Sequence, residues 1–210
     1  MLSHGLVHPS AQCQRHRVRR KLPHLADRLR HKVWAPTTAW LILGADKPIL
    51  VDSSFRSVED AKAQQYLTCR RSPEQELPPQ LAKHDVTPEQ VGLLVHTHAH
   101  MDHAGQDHLI PAVRILVQRR ELQNAAAPDM YPVPFYDRLN VARLVHDHWP
   151  RVDVLDGEAE IVPGVRCVPM PGHTPGHQCG ARVRHRNHRR RCGDDGAPQR
   201  TGRRCTRFPG

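Results

Sequence analysis

The sequence has no apolar run long enough to cross a membrane. No stretch approaches the ~18 consecutive apolar residues of a membrane helix, and residues 1–30 lack the continuous apolar segment of a secretory signal peptide. From these absences we expect a soluble, cytoplasmic protein with no membrane partner.

Cysteines in metal-ribbon spacing are also absent. The chain has six cysteines, none of them in a C-x-x-C pair, and only Cys69 and Cys167 lie in its middle part. Zinc ribbons need closely paired cysteines, and structural disulfides are rare in a reducing cytosol. We therefore predict neither a cysteine zinc site nor a structural disulfide.

Aromatic residues are scarce, at 4% of the chain, whereas the net charge of +10 is concentrated at the two ends. Residues 1–36 carry eight basic side chains against Asp27 alone, and residues 178–210 carry ten arginines against Asp194 and Asp195. Basic ends can bind phosphates, but these ends lack the interleaved aromatic side chains on which bases stack. A non-enzymatic protein that binds nucleic acid through its ends is therefore an alternative, and nucleic acid is not the partner that we expect.

Composition divides the chain into three parts. We predict a basic, poorly ordered segment at 1–36, a domain at 37–178, and a basic tail at 179–210 with no strand or helix signal. Arg-, Pro- and Gly-rich sequence of this kind is what a GC-rich gene yields in a shifted reading frame. We infer a frameshift near Gln178; a genuine disordered basic tail is the alternative.

The stretch Thr97–Gly105 contains four side chains that can bind a metal: His98, His100, Asp102 and His103. It follows the apolar run Val91–Val95, which is typical of a buried strand. In an extended exit from that strand, side chains two apart point the same way, so His98 and His100 can converge on one ion. Asp102 and His103 are adjacent and should diverge, which suits a second ion.

A second histidine motif follows the strand-like Val165–Val168. Pro171–His177 reads Pro-Gly-His-Thr-Pro-Gly-His and presents His173 from a loop fixed by glycine and proline. With 17 histidines in the chain, the alternative for either motif alone is a solvated histidine-rich loop. The joint occurrence of the two motifs favours a metal site.

At these residues the chain resembles the metallo-β-lactamase superfamily, which implies an α/β fold, the αββα sandwich, with one or two zinc ions at the edge of its sheets. Within the superfamily, Ile115–Leu122, and Gly157–Val165 running into Pro171–Gln178, resemble the N-acyl homoserine lactonases. The resemblance covers about residues 38–178 and implies lactone ring opening, the degradation of a quorum signal, with an acyl homoserine lactone-like small molecule as substrate.

The resemblance also implies roles for single residues. His98, His100 and His173 would hold one Zn²⁺, while Asp102 and His103 would help to hold a second, giving up to two ions per chain. Asp102 is the candidate catalytic residue that donates a proton to the leaving alkoxide. Asp52, at the end of a predicted strand, and His177 are expected to orient their surroundings rather than to bind metal.

The family pattern is incomplete after His173. Asp194 and Asp195 lie near the spacing of the family's bridging Asp, but Arg189–Cys192 before them is not the expected apolar strand, and no histidine follows His188. We therefore expect the sandwich to be incomplete in its C-terminal half, with apolar faces uncovered and activity impaired. Other substrates of this fold stay open: a glyoxalase II-like thioester, a β-lactam or a phosphodiester.

Local patterns predict the main elements: a hairpin at Thr38–Leu43 and Ile49–Asp52, and helices at Ser57–Tyr66 and Arg119–Ala126. Further strands are predicted at Val113–Gln118, at Val152–Leu155 and within Glu160–Val168, with turns at Gly157 and at Pro163 and Gly164. Thr87 and Pro88 mark a helix start. Pro128–Tyr136, rich in Pro and aromatics, either shapes an acyl-chain pocket, as the resemblance implies, or is an ordinary packed loop.

Overall fold

The computed structural model describes residues 4–7, 12–16, 32–65, 68–111, 113–128 and 135–182. These contain twelve strands: β1 (His4–Val7), β2 (Gln12–His16), β3 (Lys32–Pro36), β4 (Ala39–Ile42), β5 (Ile49–Val51), β6 (Cys69–Arg70), β7 (Leu93–Val95), β8 (Arg114–Gln118), β9 (Val152–Leu155), β10 (Ala159–Val162), β11 (Val165–Pro169) and β12 (Gln178–Arg182). They also contain four α-helices: α1 (Val58–Gln65), α2 (Leu77–Ala82), α3 (Arg119–Ala126) and α4 (Arg138–Val145).

The largest sheet has six strands in the order β1-β4-β5-β7-β8-β9. The pairs β1–β4 and β4–β5 are antiparallel, whereas β5, β7, β8 and β9 run parallel to one another. Parallel strands are covered on both faces, which explains why β5, β7 and β8 are apolar along most of their length. The carboxyl ends of β5 and β7 therefore lie side by side, and the loops that follow them share one edge of the sheet.

Helices cover one face of this sheet. Alternate strand residues point to that face, among them Leu50, Leu94 and Ile115, and they share one core cluster with side chains from α2, α3 and α4. The helical residues in the cluster are Leu77, Leu81, Leu122, Ala125, Val141 and Leu144. These helices therefore hold in place the sheet edge at which the loops after β5 and β7 lie.

A three-stranded sheet, β10-β11-β12, covers the other face. Ile49, Val51, Val95 and Leu116 pack in one cluster with Val165 and Cys167 of β11, and none of the four is more than 5% exposed. The prediction of uncovered apolar faces was therefore wrong for these four residues, because a second sheet lies over them. The arrangement of helices, sheet and second sheet agrees with the predicted mixed α/β sandwich.

Several predicted elements are confirmed. Helix α3 and strand β9 have the predicted bounds, α1 lies within Ser57–Tyr66, and the 3₁₀ turn Pro88–Gln90 begins with a capping box at Thr87. The predicted turn at Pro163 and Gly164 is also confirmed: it separates β10 from β11, and Gly164 has φ +82 there.

Helix α4 was not predicted. Its first turn is capped by the Asp137 side chain, which accepts hydrogen bonds from the backbone N–H groups of Leu139 and Asn140. Only Asn140, Val141 and Leu144 of this helix are buried. This narrow apolar stripe is too short to give a clear helical period in the sequence.

The predicted ends differ from the structure in part. Strands β1, β2 and β3 fall within 1–36, where we expected poor order, and β12 continues to Arg182, past the expected boundary at Gln178. Residues 183–210 lie outside the described residues, and with them the predicted frameshift product. The three-part division of the chain stays a prediction.

Two further observations concern a structural disulfide and a membrane-spanning helix, neither of which we predicted from the sequence. Cys69 is disulfide-bonded, so the prediction of no structural disulfide was wrong. Within the described ranges, no helix combines the length and the apolar character that crossing a membrane requires.

Candidate metal centre

The site lies where β5 and β7 end. Val51 and Val95 are register partners in the parallel pair, so Asp52 comes next to the loop that begins at His96. The backbone N–H of Asp52 donates to the carbonyl of Val95 at 2.9 Å, and its carboxylate accepts from the backbone N–H and the hydroxyl of Thr97, at 2.7 and 2.8 Å. Asp52 therefore anchors the first histidine motif to the neighbouring strand.

Three imidazoles come together at this edge. His98, His100 and His173 each offer a ring nitrogen, and these atoms all lie within 4.8 Å of one another. The ring centroid of His98 lies 4.5 Å from that of His100 and 4.7 Å from that of His173. His98 and His100 are buried, while His173 is exposed on the open side.

The loop between β11 and β12 carries His173 to the other two rings. Inside the loop, Met170 N–H donates to His177 O at 2.7 Å and Gly172 N–H to Thr174 O at 3.1 Å. Gln178 N–H then donates to Thr97 O at 2.9 Å, which joins the second motif directly to the first.

The hydrogen bonds around His98 determine its tautomer. The Thr97 hydroxyl donates its proton to Asp52, so its oxygen accepts from Nδ1 of His98 at 2.9 Å. Nε2 is then the unprotonated nitrogen; it is buried and has no hydrogen-bond partner in the described part of the chain. Burial, together with nearby His103 and His100, lowers the pKa of His98 and keeps it neutral. A buried neutral imidazole with an unused lone pair fits a metal ligand.

Asp102 and His103 form a second donor pair beside the first cluster. His103 Nδ1 donates to Asp52 Oδ2 at 2.8 Å, and its Nε2 lies 3.7 Å from Asp102 Oδ2. The ring of His103 is 4.1 Å from that of His98. The expectation that Asp102 and His103 diverge was wrong, because the chain turns here: the N–H of His103 donates to the carbonyl of His100 at 3.0 Å.

The remaining candidate residues lie at the margin. The ring of His177 is 5.2 Å from that of His98 and 6.1 Å from that of His173, outside the three-histidine group. Asp194 and Asp195 lie outside the described residues. Of the Pro128–Tyr136 segment, the rings of Phe135 and Tyr136 lie 5.4 and 4.7 Å from that of His100, while 129–134 are not described.

Sequence reasoning missed Glu121. This fully buried carboxylate accepts hydrogen bonds from Ala99 N–H at 2.9 Å, from the Tyr136 hydroxyl at 3.1 Å and from the Thr174 hydroxyl. A Glu in the first turn of a helix that directly follows β8 was the available signal, since that strand lies beside β7.

Sequence reasoning also missed the buried pair of His96 and Asp107, next to the first histidine motif. His96 Nε2 lies 2.9 Å from Asp107 Oδ2, and Ser53 Oγ donates to Asp107 Oδ1 at 2.7 Å. Burial lowers the pKa of His96, but the charge of Asp107 outweighs it and raises that pKa overall. For Asp107 the directions are reversed: burial raises its pKa, but His96 and the hydrogen bond from Ser53 outweigh burial and lower that pKa overall. This pair supports the loop between β7 and the metal centre from the inside.

Comparison with known proteins agrees with this geometry. A family model of the metallo-beta-lactamase superfamily matches residues 33–189, three quarters of the chain. The chain belongs to the metallo-β-lactamase superfamily. The mixed α/β sandwich of the described residues agrees with that membership.

Two curated relatives of the chain are N-acyl homoserine lactonases. An N-acyl homoserine lactonase of a Bacillus species is 29% identical over 153 residues, which cover 68% of this chain and 56% of the relative. One from Bacillus cereus is 26% identical over 151 residues, with the same coverage. The chain thus spans little more than half the length of these curated relatives.

The fold is shared with solved lactonase structures. An N-acyl homoserine lactone hydrolase with N-hexanoyl-L-homoserine at its catalytic metal centre has a TM-score of 0.63 and 22% identity, over 85% of this chain and 68% of that one. A dizinc quorum-quenching lactonase has a TM-score of 0.57 and 18% identity, over 77% and 58%. At these identities the likeness establishes the fold.

Proposed function

We propose that this chain is a zinc-dependent hydrolase that opens the ring of an acyl homoserine lactone. The observation that carries the proposal is the group of His98, His100 and His173, whose donor atoms lie within 4.8 Å of one another beside Asp102 and His103. The lactonase relatives support the choice of substrate, and a dizinc lactonase of the same fold supports the choice of metal.

The donor set fits zinc. His98, His100 and His173 would hold one ion, and Asp102 and His103 would contribute to a second. When bound, zinc lowers the pKa of a water molecule and polarises a carbonyl oxygen as a Lewis acid.

The reaction assigned to the site is the addition of one water across an ester bond. The water oxygen bonds to the lactone carbonyl carbon, and the bond from that carbon to the ring oxygen breaks. One water proton goes to the leaving alkoxide, and the product is a carboxylate with a free hydroxyl and one released proton.

Asp102 is the residue to which we assign the proton transfer. Its carboxylate is buried at the site and faces Nε2 of His103, so it can accept a proton from the water and deliver it to the alkoxide. Asp52 holds His103 from the opposite ring nitrogen and keeps this face in place.

The test uses the full chain with added zinc and N-hexanoyl-L-homoserine lactone, and follows acid release with a pH indicator. Because the family pattern is incomplete after His173, we expect slow ring opening, which His98→Ala abolishes and which His146→Ala, at an exposed histidine outside the candidate site, leaves unchanged. Parallel assays use S-lactoylglutathione, a chromogenic cephalosporin and an activated phosphodiester. Faster turnover of any of these three would overturn the lactone assignment, although the hydrolase would stand.

The cytoplasmic location belongs to this proposal as well, and rests on the sequence alone. Finding the native protein outside the cytoplasmic fraction would contradict it.

A further inference from the structure

Glu121 connects the two histidine motifs. Its Oε1 accepts from the N–H of Ala99, which lies between His98 and His100, and its Oε2 accepts from the hydroxyl of Thr174, the neighbour of His173. Thr174 and Glu121 are 53 residues apart in the sequence. A single buried carboxylate thus holds the loop of two candidate ligands against the loop of the third.

The backbone is fitted to this junction independently of those hydrogen bonds. A Cβ atom on Gly176 would overlap the backbone nitrogen and Cα of Glu121. The second motif can therefore lie against the first turn of α3 only because this position is glycine. Close packing and hydrogen bonding together fix the loop at Glu121.

A third contact braces the same carboxylate. The Tyr136 hydroxyl donates to Oε1 and accepts from Asn124 Nδ2 at 2.7 Å, while its ring packs edge-on against His100 at 4.7 Å. In the part of the chain that the structure describes, no ion pair includes Glu121. These three neutral donors satisfy the buried carboxylate and fix its position beside the imidazole cluster.

We propose that Glu121 is a positioning residue of the metal centre: it sets the spacing between the His98–His100 loop and His173, and thereby the affinity for zinc. This inference rests on the proposed function, because it requires that the cluster binds zinc. Supporting groups around metal ligands typically change metal affinity by about 10- to 100-fold when removed.

The experiment measures the zinc dissociation constant of the full, metal-stripped chain by competition with a chromogenic chelator. Glu121→Ala is expected to weaken zinc binding about 10- to 100-fold. Glu121→Gln should bind more tightly than Glu121→Ala, because its amide oxygen can still accept from Ala99 and Tyr136. Thr174→Val replaces the hydroxyl donor by an apolar side chain of similar shape and should weaken zinc binding by about fivefold.

A double-mutant cycle separates positioning from a general loss of structure. If Thr174 acts through Glu121, Thr174→Val should have little further effect in a Glu121→Ala chain. Should Glu121→Ala fail to fold, the same cycle is run with Glu121→Gln, where the effect of Thr174→Val should differ from its effect in the wild type.

The control is Val141→Ala, a buried α4 residue in the core cluster that also contains Leu122, the chain neighbour of Glu121. It should lower resistance to urea without changing the zinc dissociation constant. Fully additive effects of Glu121 and Thr174, or an equal loss of affinity in Val141→Ala, would overturn the proposal. If the wild-type chain binds no zinc, this proposal and the proposed metal site both fail. If the wild type binds zinc and Glu121→Ala binds it equally well, only this proposal fails.

Discussion

Asp52 accepts a hydrogen bond from Nδ1 of His103 at 2.8 Å, although the two residues lie 51 positions apart. The same carboxylate holds both the N–H and the hydroxyl of Thr97. Asp52 has φ +63, a left-handed conformation that aspartate tolerates better than most residues. Asp52, directly after β5, therefore fixes the orientation of the His103 ring, whose Nε2 faces Asp102.

Replacing Asp52 should lower the zinc affinity of the chain, although we expect Asp52 to orient its surroundings rather than to bind the metal. Asp52→Ala removes the acceptor for His103 and for Thr97, and we expect zinc affinity to fall about 10- to 100-fold. Asp52→Asn keeps a side chain that tolerates the left-handed backbone and one carbonyl acceptor, so its loss should be smaller. Chelator competition measures both, and unchanged affinity in Asp52→Ala would contradict the orienting role.

Two histidine variants test the assignment of the second motif. His98→Ala should lower the zinc content of the purified chain far more than His177→Ala, because only His98 belongs to the group of converging donors. Elemental analysis after dialysis measures the content. Equal losses would show that His177, and not His173 alone, supplies a ligand from the second loop.

Two glycines should respond to alanine for different reasons. Gly157 has φ +94 and open space where the alanine methyl group would lie, so Gly157→Ala should cost only the left-handed backbone strain of about 1–2 kcal/mol. Gly176→Ala places a methyl group into the backbone of Glu121, so it should destabilise the fold and also weaken zinc binding. Urea unfolding and chelator competition report the two effects. Zinc binding that changes equally in both variants would contradict the distinction.

The His96–Asp107 pair should show strong energetic coupling. Both side chains are buried, so Asp107→Ala strands a buried imidazole and should lower the free energy of unfolding by about 3–5 kcal/mol. Replacing both, as His96→Leu with Asp107→Leu, should cost much less than the two single effects combined, because no buried polar group is left without its partner. Urea unfolding of the single and double variants measures the coupling, and purely additive losses would show that the pair is not coupled.

Much of the fold was predictable where the information is local. Helix α3 and strand β9 were predicted with the bounds that the structure gives them, and the hairpin of β4 and β5 was predicted from two short apolar runs around a turn. Helix α4 was not, since its start depends on the Asp137 cap and its burial on a core assembled from distant segments.

The sequence by itself determined the family and the candidate ligands. Each of the two histidine motifs is a continuous stretch of sequence, and the donor chemistry of its side chains can be recognised without the fold. Only the tertiary structure decided how those residues meet. The turn at 101–103 brings Asp102 and His103 together where an extended chain would separate them. Asp52 and Glu121 reach the site across 51 and 53 residues, and contacts at such separation depend on strand order and register, which no local pattern encodes.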